Sequence, residues 1–175
     1  MYDEKELIRE CLSGNRLAEK QLYERYSALF FGICLRYADC REEAEDLLVS
    51  GFTMIFEHLP EFRHEGSFEG WMKRIIVHNA IDCLRKRHNH TAERIDEESL
   101  KTGISADSAL QRLEAREALE AIRKLPATLR TIFNLYAVEG FTHKEISRKL
   151  NMNETTVRVY FQRARTMLQK LLSEK

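Results

Sequence analysis

An all-α fold is predicted for this chain of 175 residues by three observations. Apolar residues recur at three- and four-residue intervals over most of the length, as one face of a helix requires. Only 2 prolines and 7 glycines interrupt that pattern. The periodicity fails between about residues 90 and 106, where small and polar residues collect. The helices therefore sort into two small domains, 1–90 and 111–175, joined by a flexible linker over 91–110.

A short helix is expected over residues 3–12. Leu22, Tyr26, Leu29, Phe30, Ile33 and Tyr37 then fall at i, i+4, i+7, i+8, i+11 and i+15, one stripe on a helix of about 20 residues. Ala44, Leu47, Leu48, Phe52, Ile55, Phe56 and Leu59 form the next stripe. Its helix is expected to begin at Asp39, with Glu42 three positions on as in a capping box, and to end near Pro60. A third helix follows Gly66, with Ser67 as N-cap and Phe68, Met72, Ile75, Ile76 and Cys83 inward, Trp71 at the margin. After the linker, helices are expected over 107–124 and from Pro126, placed at the first helical position, to Val138. Glu139 and Gly140 close the latter.

The chain is 43% hydrophobic and 32% charged, the profile of a soluble folded protein. No apolar run approaches the roughly 18 residues that span a bilayer, and the first residues are charged, so a cytoplasmic location is expected. Cys11, Cys34, Cys40 and Cys83 are scattered without a C-x-x-C pair, which points away from zinc and from disulfides. His64, His88 and His90 have no ligand spacing, so no metal, cofactor or catalytic residue is expected and the chain is not read as an enzyme.

The formal net charge of zero hides an uneven distribution. Residues 1–66 hold 14 acids against 8 bases, 67–90 hold 2 against 5, 91–122 hold 8 against 4, and 123–175 hold 4 against 11. Two basic blocks between acidic ones suit two places where phosphates are neutralised, on a molecule that avoids strong non-specific DNA binding. Ordinary surface charge fits the same numbers.

Thr142-His143-Lys144-Glu145 has the capping-box pattern and opens a short helix with Ile146 and Leu150 inward. Asn151-Met152-Asn153 makes a turn, since Asn151 tolerates a left-handed backbone and Asn153 can cap the next helix. That helix packs Val157, Phe161, Ala164, Leu168, Leu171 and Leu172 inward and turns Thr155, Arg158, Val159, Gln162 and Thr166 outward, with Thr156 and Arg163 beside them. The arrangement is a helix-turn-helix whose second helix can enter a major groove, although a plain helical hairpin shows similar polarity. Arg165 is expected on the packed side. On the 67–88 helix, Arg74, His78, Ile81 and Arg85 lie opposite the apolar stripe with Asp82 beside them, and the run ends in Arg85-Lys86-Arg87-His88. Such an edge can follow a DNA backbone or be a solvated face with a favourable basic end.

Together these segments resemble the extracytoplasmic-function group of the sigma-70 family over nearly the whole chain. Glu43-Ala-Glu-Asp-Leu-Leu-Val-Ser-Gly-Phe52 resembles the family's polymerase-docking helix. Phe68-Glu-Gly-Trp-Met-Lys-Arg-Ile75 and Asn79-Ala-Ile-Asp-Cys-Leu-Arg-Lys-Arg87 resemble the segments that read and open the −10 element. Leu125-Pro-Ala-Thr-Leu-Arg130, Gly140-Phe-Thr-His-Lys-Glu-Ile146 and Thr156-Val-Arg-Val-Tyr-Phe-Gln-Arg-Ala-Arg165 resemble region 4, which reads the −35 element and meets the polymerase flap.

The resemblance implies a factor that joins core RNA polymerase through its clamp helices and flap and directs it to promoter DNA, with an anti-sigma factor as a further partner. It assigns polymerase docking to Glu45, Asp46 and Leu47. Contact with the −10 element falls to Arg74, His78, Asn79, Asp82, Arg85, Lys86 and Arg87, and contact with the −35 element to Thr155, Thr156, Arg158, Val159, Gln162, Arg163 and Thr166. His78 stands where the family commonly has asparagine, Thr155 replaces a frequent glycine, and Tyr160 and Phe161 are bulkier than usual. A regulator with a sensing domain before its helix-turn-helix would need neither the acidic helix nor the basic 67–88 helix.

Overall fold

The computed structural model describes residues 3–90 and 111–173, with side chains for 3–86 and 117–173. Helix α1, Glu4–Leu12, starts where the Asp3 carboxylate accepts the Glu6 N–H at 2.7 Å, one of the four orphan donors of a helix start. Helix α2, Arg16–Tyr37, is capped in the same way by Asn15, whose side-chain oxygen takes the Leu17 N–H at 3.0 Å. Helix α3, Arg41–His58, runs into a single 3-10 turn at Leu59–Glu61, where Pro60 ends the α-helical hydrogen bonding. Helix α4, Phe68–His90, follows Gly66, and the Ser67 hydroxyl accepts the Gly70 N–H at 3.3 Å.

These four helices close around Leu22, Phe30, Tyr37, Ile55, Phe68, Met72 and Ile76, all fully buried. Full burial of a side chain of this size contributes about 1.5–3 kcal/mol. Phe30 stacks on Tyr26 and tilts against Phe52, both at 5.9 Å between ring centroids. Gly51 explains how closely α3 and α4 approach, because a Cβ there would lie 2.4 Å from Ile76 Cδ1.

The remaining helices are α5, Gln111–Arg123; α6, Ala127–Phe133, which continues as a π-helical turn over Asn134–Val138; α7, His143–Leu150; and α8, Glu154–Ser173. Ala121, Leu125, Ala164 and Leu168 form one apolar cluster between α5 and α8. A second, under the start of α8, is aromatic: Phe161 stacks on Phe133 at 6.1 Å and lies 4.4 Å from Tyr136, which itself stacks on His143 at 4.3 Å. The two halves are not separate beads. Helices α5 and α6 pack on α2, α7 packs on α4, and one continuous core includes residues from Leu7 to Phe161.

The structure amends several sequence expectations. Leu29 and Leu172 are 48% and 49% exposed, because the buried stripes of α2 and α8 are narrower than the apolar patterns. Helix α3 starts at Arg41, not Asp39, and its N-cap position, Cys40, makes no side-chain cap. Asp39 instead gives its backbone N–H to the Glu43 carboxylate at 2.7 Å. Pro126 sits just outside α6 with extended ψ rather than at the first helical position. Residues 91–110, expected as linker, lie outside the described residues, as do 107–110, expected to begin the helix now bounded as α5.

Phe161 carries the inner side of α8 on this aromatic cluster. Phe161→Ala is therefore expected to cost about 3–5 kcal/mol, read as a lowered midpoint of urea unfolding followed by circular dichroism.

Candidate nucleic-acid interface

The α7–α8 pair is built by local hydrogen bonds before any tertiary packing. Thr142 Oγ1 accepts the Glu145 N–H at 3.3 Å while Glu145 Oε2 accepts the Thr142 N–H at 2.8 Å, a full capping box. These bonds from Thr142 hold the Glu145 carboxyl below its ordinary range. Asn151 ends α7 in the left-handed region at φ 51°, and the Met152 N–H returns to the Ser147 carbonyl at 2.9 Å. Asn153 Oδ1 then accepts the Thr155 N–H at 2.8 Å and opens α8. Ile146 and Val157, both with no exposed surface, lock the two helices together.

The outward side of α8 presents Thr155, Arg158, Val159, Gln162, Arg163 and Thr166 to solvent, with Thr156 half-buried. Arg158 is already held: its Nη2 donates to Glu154 Oε1 at 2.7 Å, one turn back. That bond is the main cause of the lowered pKa of Glu154. The Arg163 guanidinium lies over the Tyr160 ring at 5.8 Å. Arg165, expected on the packed side, is exposed and adds a further cation to this helix.

On α4, Arg74, His78, Arg85 and Lys86 are exposed, and Asp82, half-buried, pairs with Arg85 at 3.4 Å. Arg87 belongs to α4, but its side chain lies outside the described ones. His78 Nε2 sits 2.6 Å from Lys149 Nζ on α7. Loss of hydration under α7, then the Lys149 ammonium and Arg74, hold the His78 imidazole below its ordinary pKa against the opposing pull of Asp82. In its neutral form the ring accepts a hydrogen bond at Nε2 from the Lys149 ammonium.

Two assigned contact residues are placed elsewhere. Asn79 is 6% exposed and reaches into the bundle, where its Nδ2 donates to the Leu47 carbonyl at 3.1 Å and to Ser50 Oγ at 2.7 Å. It clamps α3 to α4 and points into the bundle, away from the exposed edge. Leu47 is 5% exposed and belongs to the core, not to the exposed face on which the docking assignment placed it. Ile81, read as lying on the outer edge, is likewise buried at 3%. The exposed face of α3 carries Glu45, Asp46 and Val49, the last 60% exposed, with Glu45 Oε1 bound to Arg41 Nε at 2.7 Å. Val49 was absent from the sequence assignment; its signal is its position three residues after Asp46, out of phase with Leu48 and Phe52.

Residues 22–90 match the sigma-70 region 2 family and residues 115–168 match the sigma-70 region 4 family. The chain belongs to the extracytoplasmic-function group of the sigma-70 family. It is 27% identical over 180 residues to the RNA polymerase sigma-H factor of Pseudomonas aeruginosa, covering 97% of this chain and 93% of that one. It is 31% identical over 129 residues to the RNA polymerase sigma factor SigZ of Bacillus subtilis, 73% of this chain and 72% of that one. The solved sigma factor RpoE from Bartonella quintana, in complex with the anti-sigma factor NepR, shares the fold at a TM-score of 0.54 and 20% identity, over 88% of this chain and 96% of that one. As a sigma factor the chain acts in promoter recognition and transcription initiation. Among the described residues no helix is long and apolar enough to cross a membrane.

Asn79 and Arg74 lie on the same helix and should separate cleanly. Asn79→Ala strips a buried hydrogen-bonding clamp and is expected to cost about 1–3 kcal/mol in urea unfolding. Arg74→Ala, on the exposed edge, should stay within about 0.5 kcal/mol of wild type.

Proposed function

We propose that this sigma factor divides its work between the stretches 1–90 and 111–175, bridged by 91–110. In the first, α3 docks on core RNA polymerase through Glu45, Asp46 and Val49, and the α4 edge of Arg74, His78, Asp82, Arg85, Lys86 and Arg87 meets the −10 element. In the second, α8 enters the major groove of the −35 element. The observation that carries this reading is the α8 surface. Arg158 and Gln162 stand one turn apart and exposed, on one flank of the helix beside the packed Val157 and Phe161. Arginine pairs in bidentate fashion with guanine and glutamine with adenine, so this spacing reads neighbouring bases. Thr155, Thr156, Val159 and Thr166 complete the contact face, and Arg163 serves a phosphate.

The chain contributes binding and orientation to initiation and no catalytic step of its own, and it works in the cytoplasm, where the polymerase is. An anti-sigma factor is a fitting partner, since the structurally similar RpoE was solved with one.

Arg158→Ala is expected to relax preference at one or two positions of the −35 element, with a loss of about 1–3 kcal/mol of discrimination there and the fold intact. Transcription from a library of −35 variants measures it. A uniform drop across the library would make Arg158 a phosphate contact instead. Asp46→Lys should weaken pull-down by core polymerase while leaving the helical circular dichroism unchanged; unaltered pull-down would remove the docking role of α3.

A further inference from the structure

Arg158 does not stand on α8 as a loose cation. Its Nε and its Nη2 both donate to a single oxygen, Glu154 Oε1, at 3.3 and 2.7 Å. A guanidinium carries five N–H donors in a rigid planar fork, and Glu154 occupies the side edge of that fork. The other N–H groups include the Nη1–Nη2 end, the pair that matches guanine O6 and N7. The Arg158 side chain is 64% exposed, so without a partner it samples many rotamers, and the carboxylate selects among them.

The placement of Glu154 suits holding. It opens α8 directly after the Asn153 cap, and at the helical period it falls between the packed Val157 and the exposed Arg158. Lys144 and His143, at the start of α7, add weaker attractions to that of Arg158. The Arg158 hydrogen bond, the largest of these influences, keeps the Glu154 carboxyl below its ordinary range, so it is ionised at neutral pH.

A solvated pair at i, i+4 adds little to the stability of a helix, which makes support of α8 a weak reason for an acid here. The position is also an unfavourable one for an anion on a surface that meets phosphates. Glu154 is the one acid in Glu154–Ser173, against the cations Arg158, Arg163, Arg165 and Lys170. It weakens the general attraction of α8 to a duplex. A guanidinium whose charge is already neutralised also gains less from a phosphate, which leaves a base edge matched to its fork as the favoured partner.

We propose that Glu154 is a positioning residue for promoter specificity: from the first turn of α8 it fixes the Arg158 fork toward the base edges and keeps that arginine from serving as a plain phosphate contact. The inference rests on the assignment of Arg158 to the −35 element.

Transcription by core polymerase from a library of −35 variants, compared for Glu154→Ala, Glu154→Gln, Arg158→Ala and the Glu154→Ala/Arg158→Ala pair, tests both layers. Glu154→Ala is expected to lower discrimination several-fold at the same positions that Arg158→Ala relaxes, and at no others. The double variant should match Arg158→Ala alone, since the carboxylate acts through the arginine. Glu154→Gln, whose amide oxygen still accepts a hydrogen bond, should keep more of the discrimination than Glu154→Ala. Binding of the Glu154→Ala holoenzyme to promoter duplex should also become steeper in salt by about one unit of slope, as the released guanidinium turns to a phosphate. Nitrogen relaxation of the Arg158 Nε–H in the full chain gives a readout independent of promoters, and should show a more mobile side chain in Glu154→Ala. If Glu154→Ala loses its helical circular dichroism, Glu154→Gln carries the same comparisons at smaller amplitude.

A library profile equal to wild type, relaxation at positions other than those of Arg158→Ala, additive effects in the double variant, or an Arg158 side chain no more mobile without the carboxylate would each overturn the positioning role and leave base reading by Arg158 standing. A uniform drop across the library in Arg158→Ala would remove the base reading itself, and the positioning role with it.

Discussion

Helix α2 is the element on which everything else is assembled. Its apolar side supplies Leu22, Tyr26, Phe30, Ile33 and Tyr37 to the first bundle, and α1, α3 and α4 all pack against it. Its last turn poses a different problem, because carbonyls brought close to an apolar core need donors. The chain answers with α5, α6 and the π-helical turn, whose Arg123, Arg130 and Asn134 supply them. The π turn matters geometrically. By admitting one extra residue per turn at Asn134–Val138, it lets the same short segment present Asn134 to the end of α2 and Glu139 to Arg36 and Lys73.

The charge distribution acquires a physical meaning in this arrangement. The first 66 residues are net acidic and the last 53 net basic, so the folded chain brings opposite signs together. At the contact itself, however, the signs are crossed: region 4 offers a carboxylate to two region 2 cations, and guanidinium groups to region 2 carbonyls. Burial of Tyr37 and the nearby Glu139 push the Tyr37 phenol pKa up, against the opposing pull of Arg36, so the phenol stays neutral within this charged setting.

Much of the architecture was legible in the residues, and the failures have specific causes. Helical periodicity located the helices because a stripe on a helix depends only on local spacing. It overestimated the buried stripe on α2 and α8, where Leu29 and Leu172 are exposed, and underestimated it on α4, where Ile81 is buried. The helix-turn-helix was legible to the level of single hydrogen bonds, since Thr142, Glu145, Asn151 and Asn153 bond to neighbours within a turn. Asn79 was not, because its partners Leu47 and Ser50 lie about thirty residues away and a polar residue beside a cationic edge gives no sign that it points inward. The contacts at the end of α2 were equally hidden. Arg130 and Glu139 look like ordinary surface charges until the fold brings residues about a hundred positions apart together.

The Asn79 clamp has a mechanical consequence. Its side chain grips α3 at Leu47 and Ser50, while the adjacent His78 sits on the outer edge of α4. Gly51 removes the remaining slack by letting Ile76 press against the α3 backbone. The two helices therefore behave as one stiff plate with a different tool on each side. Whatever seizes the exposed Asp46 and Val49 side of α3 also sets the rotation of α4 about its own axis, so the aim of one side is inherited from the grip on the other.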